Sequence, residues 1–151
     1  MAGTIVVGVD GSEASREALR WAADEARLRE ARIVALHAWT FVPAAPIGDP
    51  GMIAIPAGDL MGQLEAESEA ARVELADSIA EVLGAEPGVE VESRLTESDA
   101  GDALVAESES ADLVVVGSHG RSGFRAAILG SVSRHVVDHA RCPVVVVRQR
   151  A

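Results

Sequence analysis

The residues of this chain best suited to chemistry are glycines and serines near its C-terminal end. Gly117-Ser118-His119-Gly120 is followed by nine residues and then by Gly130-Ser131. The cluster opens where an apolar run, Leu113–Val116, stops, and it closes where a helical pattern starts. Glycine at 117 and 120 removes the Cβ that would hold main-chain N–H groups away from an anion. The N–H groups of Gly130, Ser131, Val132 and Ser133 would stand at a helix start, without intrahelical partners and at the positive end of the dipole. Ser131 and Ser133 could add hydroxyl donors. The competing account is a plain turn at Gly117 and Gly120 and a plain helix start at Gly130. The agreement of spacing, preceding strand and following helix favours phosphate binding.

Other chemistries fit less well. No lysine occurs anywhere in the chain, which excludes a Walker-A ATPase and Schiff-base catalysis. Residues 117–123 read GxxGxxG rather than GxGxxG, the helix does not start at once, and no acid ends a following strand to hold a ribose. His135 and His139 share the spacing of metal ligands, but a zinc-hydrolase glutamate and a third ligand are missing, so helix-end histidines are expected. His119, in the loop itself, reads as an exposed loop histidine in preference to one that touches a ligand, and His37 as a satisfied, partly buried one. Cys142 is the single cysteine, which rules out an internal disulfide; a half-buried structural role is expected. No nucleophile–base–acid set or nucleophile elbow is present, so any turnover would be that of a weak ATPase at most.

The elements that must position these residues alternate. Thr4–Val9 is a continuous β-branched run, expected as a doubly covered parallel strand. Ser12 reads as an N-cap with Glu13 in the first turn, and Ala14, Ala18, Trp21, Ala22 and Ala26 recur at helical spacing to about Glu30. A strand is expected at Ile33–Ala38. Residues 40–59, with four prolines, form the one long irregular connection. A helix follows from about Leu60 to Leu83, ended by Gly84. Val89–Leu95 alternates and is expected at a sheet edge. Ser98 or Asp99 then caps a short helix running to about Glu109. Asp112–Gly117 is a central strand, Ser131–Ala140 a helix and Pro143–Arg148 a last strand. This alternation implies βαβ units and a parallel sheet in one domain, 1–151, whose ligands bind beyond the strands' carboxyl ends.

Composition agrees with a globular domain: apolar residues make up 48% and charged residues 25%. No apolar run approaches the roughly 20 residues that span a bilayer. The start lacks a signal-like pattern, so a cytoplasmic location is expected. The net charge of −11 argues against nonspecific nucleic-acid binding. Residues 117–151 carry six arginines against Asp138 alone, a charge of +5, whereas residues 1–116 carry seven against 23 acids, or −16. The asymmetry suggests positive potential near the anion site.

Gly117-x2-Gly120-x9-Gly130-Ser131 resembles the ATP-binding pattern of universal stress proteins. Val6-Val7-Gly8-Val9-Asp10-Gly11-Ser12, Leu36-His37-Ala38 and Cys142-Pro143-Val144-Val145-Val146-Val147 match that family as well. The resemblance covers essentially the whole chain. It implies an open five-stranded parallel sheet of Rossmann-like type, order 3-2-1-4-5, with the first and fourth strands meeting at the reversal point. It implies a nucleotide-dependent regulator of stress physiology that binds ATP, with magnesium. Gly8, Val9 and Asp10 would contact the nucleoside, and Ala38 would meet adenine through its main chain. Val116, Gly117 and Gly120 would flank ribose and phosphates, and Gly130, Ser131, Val132 and Ser133 would grip the phosphates. Asp10 would help hold the divalent ion, or else cap the following helix. Arg121 is a candidate phosphate partner, or a solvent-facing charge. The family also implies a homodimer through the last strand, whose flat apolar edge invites pairing.

Overall fold

The computed structural model describes residues 2–42, 57–119 and 129–149. Most of the proline-rich connection, residues 43–56, and the glycine-loop residues 120–128 lie outside them. The order of elements is β1 (Thr4–Gly8), α1 (Glu13–Arg29), β2 (Arg32–Trp39), α2 (Ala57–Leu83), β3 (Val91–Glu97), α3 (Ala100–Glu107), β4 (Leu113–Gly117), α4 (Ser131–His139) and β5 (Val144–Val147). The five strands form one parallel sheet in the order β3-β2-β1-β4-β5. This is the expected α/β architecture; the apolar runs of β1 and β4 lie inside the sheet, and the equally apolar β5 lies at its edge.

Both faces of the sheet are covered, which explains those runs. Ile5, Val7, Ile33, Ala35 and Val115 face α1 and α2, where Ala18, Leu19, Ala22 and Ala26 close the core. Val6, Val34, Leu36, Val114 and Val116 face the other way, against Leu104 of α3 and Val136 of α4. Alanines along the buried stripe of α1 let that helix lie close to β1 and β4. Ser12 is its N-cap, accepting from the Ser15 N–H, and Glu30 ends it in the left-handed conformation.

Several boundaries differ from the sequence expectation. α2 begins at Ala57, three residues before Leu60, with Asp59 in its first turn. β3 begins at Val91 rather than Val89: Gly88 turns the chain at φ 72°, and the Glu90 carbonyl already accepts from Ile33. Asp99, not Ser98, caps α3, its carboxylate accepting from the Gly101 and Asp102 amides. That helix ends at Glu107, where the Ser108 hydroxyl turns back to the Val105 carbonyl.

The two sheet edges differ in chemistry. On β3, Arg94 bridges Glu92 and Glu107, and Arg32 of β2 reaches Glu92 at 3.1 Å. The Arg94 hydrogen bond, opposed by desolvation, holds the Glu92 carboxyl below its ordinary range. On β5 all four valines are half-buried and no charge interrupts them. Among the described residues no helix is long and apolar enough to cross a membrane.

Candidate functional site

A cleft of about 290 Å³ opens at the carboxyl ends of β1, β2 and β4. It sits where the sheet order reverses between β1 and β4, as expected for an open α/β sheet. Its volume lies near the lower bound for ligand pockets. Gly8, Val9 and Asp10 enter it from β1, Ala38 from β2, and Val116 and Gly117 from β4. Gly130, Ser131, Val132 and Ser133 enter from the start of α4. Ten of the twelve residues singled out in the sequence therefore line one space. The other two, Gly120 and Arg121, lie outside the described residues.

At the α4 end the cleft meets main-chain donors. Gly130 is the N-cap and provides no side-chain cap. Its carbonyl accepts from Arg134, the first intrahelical bond. The amides of Ser131, Val132 and Ser133 precede that bond and find no partner among the described residues. Two of the expected donors are engaged elsewhere. The Gly130 N–H donates to the Ser118 carbonyl at 2.7 Å. The buried Ser133 hydroxyl lies 3.1 Å from the Ser118 carbonyl and 3.0 Å from that of Gly130. A hydroxyl has one proton, so Ser133 fastens α4 to the loop after β4, and it is the Ser133 amide that remains for an anion.

At the α1 end the molecule caps its own helix. Asp10 Oδ1 accepts from the Ser12 N–H at 2.9 Å and from the Ser12 hydroxyl. Ser12 in turn accepts from the Ser15 amide, and the Ser15 hydroxyl lies 3.3 Å from the Asp10 N–H. Asp10 does not cap α1 directly; it orients the residue that does.

The glycines of the cleft have steric reasons of their own. A Cβ at Gly117 would lie 2.8 Å from the carbonyl carbon of Ala14, so this position must be glycine for β4 to meet the first turn of α1. A Cβ at Gly8 would lie 3.1 Å from Leu104 Cδ1, the side chain that closes the cleft floor from α3. Leu36, Ala100 and Leu104, with Val9, Ala38 and Val116, make one part of the cleft an apolar slot. Leu104 and Ala100 were not legible as site residues, because no local pattern tells which strand end a short helix covers.

Ala38 gives that slot its polar edge. In a parallel ladder successive residues bond to opposite neighbours. The Leu36 carbonyl accepts from Val9 on the β1 side, and the Trp39 carbonyl accepts from Ser98 on the β3 side. Ala38 therefore turns its N–H and C=O toward the β1 side, beyond the point where β1 ends, and into the cleft.

The histidines and the charges divide differently from the expectation. His119 is half-buried and lines the cleft, with Nδ1 at 2.9 Å from Ser118 Oγ, and so is not an exposed loop residue. His37 is buried at 7% exposure, with Nδ1 at 2.7 Å from the Val9 carbonyl. His135 pairs with Asp102 at 3.0 Å, and a Cβ at Gly101 would touch its ring, so it packs α4 on α3. His139 bonds the His135 carbonyl, and no group of three or more metal-ligating side chains occurs among the described residues. Burial pushes the half-buried Cys142 thiol up, away from thiolate reactivity. Arg134, Arg141 and Arg148 do not line the cleft; what the described lining offers an anion is the start of α4, the positive end of its dipole.

The model of the universal stress protein family matches residues 1–148. A universal stress protein of Mycolicibacterium smegmatis is 40% identical over 146 residues, which are 97% of this chain and 46% of that protein. The chain thus spans less than half the length of the curated relatives it matches. Among solved structures, the universal stress protein UspA from Lactobacillus plantarum is 26% identical with a TM-score of 0.73, covering 97% of both chains. A universal stress protein solved in complex with cAMP is 27% identical with a TM-score of 0.57, again covering 97% of both chains.

Proposed function

The chain belongs to the universal stress protein family, and from that premise we propose that it binds ATP as a nucleotide-dependent regulator. The observation that carries this reading is the pairing of two unmet main-chain groups across one cleft. At one end stand the amides of Ser131, Val132 and Ser133 at a helix start without a side-chain cap. At the other, the N–H and C=O of Ala38 edge an apolar slot. Adenine offers a ring-nitrogen acceptor next to an amino donor, the complement of an adjacent N–H and C=O; guanine offers the reverse order and is disfavoured. The relative solved with cAMP holds a ligand of the same base and charge type.

Magnesium would accompany the phosphates. Asp10 is the carboxylate of the described lining, and one carboxylate suits an ion held mainly by phosphate oxygens and water. Gly120 and Arg121 are proposed to complete the phosphate site. The β5 edge is proposed to pair with a second copy of the chain. It carries four half-buried valines, where the opposite edge carries ion pairs.

Titration calorimetry with ATP and GTP tests the reading, together with mass spectrometry of small molecules released from the purified protein. Saturable binding of ATP in preference to GTP is expected. Absence of ATP binding at millimolar concentration, with no adenine nucleotide released on denaturation, would overturn it. Sedimentation at micromolar concentration tests the pairing, and a strictly monomeric mass rejects it.

A further inference from the structure

We infer that His37 is a positioning residue that keeps the Ala38 main chain available to the purine by occupying the Val9 carbonyl. This rests on the nucleotide reading above. After the Leu36 carbonyl accepts from Val9, the next rung of a parallel ladder would join the Ala38 N–H to the Val9 carbonyl. That rung is absent, and the His37 Nδ1 stands 2.7 Å from the Val9 carbonyl in its place. A carbonyl can only accept, so Nδ1 carries the proton and the ring is fixed in that tautomer when neutral. The other ring nitrogen, Nε2, stands 3.9 Å from Glu74 Oε2 of α2, beyond hydrogen-bond distance and an ion pair only when the ring is protonated, so it is the Val9 contact that orients the neutral imidazole.

The consequence is specific to the base. With the Val9 carbonyl occupied by a side chain, the β1–β2 ladder stops one rung short. The last β2 residue on that side, Ala38, then presents both of its main-chain groups to the slot lined by Leu36, Leu104 and Val116. Without the imidazole, Ala38 can swing onto Val9 and close its N–H to a purine. His37 touches no part of the α4 mouth, so phosphate binding is independent of it.

Three proteins and three ligands test this: wild type, His37→Phe and His37→Asn, each titrated with ATP, GTP and inorganic tripolyphosphate. The phenylalanine ring fills the space without a donor, whereas the asparagine amide reproduces the Nδ1–H. His37→Phe is expected to weaken ATP by about tenfold, the scale of one lost hydrogen bond, and to erase the preference over GTP. His37→Asn restores both, and tripolyphosphate affinity is equal in all three. A folded His37→Phe that keeps wild-type ATP affinity and base preference overturns the role of His37 alone. Failure of wild type to bind ATP overturns the nucleotide reading and this inference with it. Should His37→Phe not fold, the wild type decides by NMR. The His37 ring nitrogens should report Nδ1–H, and the Ala38 amide should exchange freely until ATP is added. An Ala38 amide already protected without nucleotide overturns the inference.

Discussion

Two helices open on the same cleft, and the chain treats their N-termini in opposite ways. At α1, Ser12 caps the Ser15 amide, and Asp10 and Ser15 lock Ser12 in place. At α4, the cap is a glycine without a side chain, and three consecutive residues whose amides lack a partner among the described residues line the cleft. Both helix starts follow a strand end of the same sheet, and both carry serines close by. The difference lies in where the serine oxygen points. Ser12 turns into its own helix, whereas Ser133 turns to the carbonyls of Ser118 and Gly130. One terminus is thus complete within the protein, and the other leaves three amides unmet, where the proposed nucleotide would place its phosphates.

The sharpest way to break this contrast is to give α4 the cap it lacks. Gly130 has extended backbone at φ −64°, ψ 165°, which any residue adopts. In Gly130→Asp the carboxylate would accept from the Val132 or Ser133 amide. A new Cβ would press on His119 Cα at 3.1 Å, so a small shift of that residue offsets part of the gain. ATP affinity is expected to fall by about 100-fold or more, while thermal stability stays near wild type. Calorimetry beside a melting curve separates the two. An Asp variant that binds ATP normally would show that the α4 mouth is not the phosphate site.

The floor shared by the two mouths is the next target. Gly117 meets the main chain of Ala14 in the first turn of α1, and an added Cβ would sit 2.8 Å from backbone atoms that cannot move alone. Gly117→Ala should cost about 2 kcal/mol in denaturant unfolding, because overpacking displaces α1 from β4. Unchanged stability would mean that Gly117 serves the ligand rather than the packing.

These cases also show what the chain discloses before it is folded. The apolar run of β4, the spacing of glycines and the helix pattern after Gly130 point to the cleft at the start of α4, because each is a local consequence of residue type. The sheet order came from family resemblance; periodicity alone does not say which strands are neighbours. The sequence suggested four amides and two hydroxyls for phosphate, and the structure withdraws the Gly130 amide and the Ser133 hydroxyl. Both go to the loop after β4, a contact across at least twelve residues that no local pattern announces. Gly117 was assigned to the ligand, whereas its neighbour Ala14, over a hundred residues away, supplies an independent reason for glycine. His119 looked like a solvent-facing loop residue because its anchor, the adjacent Ser118, is ordinary in sequence.

A smaller change sharpens the contrast by removing one donor from the open mouth. Proline is well tolerated at the first helical position, where its missing N–H had no helical partner. Ser131→Pro, measured against Ser131→Ala to discount the lost hydroxyl, therefore deletes a single amide from α4 and leaves the helix intact. ATP affinity should drop by about tenfold, one charge-assisted hydrogen bond, with tripolyphosphate falling in parallel. A loss for ATP without a loss for tripolyphosphate would place Ser131 at the sugar instead.

The mildest test reverses the experiment at α1. Ser12→Ala removes the oxygen that accepts from the Ser15 amide, while the residue 12 N–H can still donate to Asp10. The protein should lose about 1 kcal/mol of stability, the usual value of an N-cap. If the α1 mouth is structural, ATP affinity changes by less than about threefold, well under the loss expected of a direct charge-assisted contact. If affinity falls with stability, Asp10 and Ser12 form part of the ligand site and the two mouths work together. If affinity rises, the uncapped α1 has begun to act as a second anion site, and the cap exists to keep the phosphates at α4.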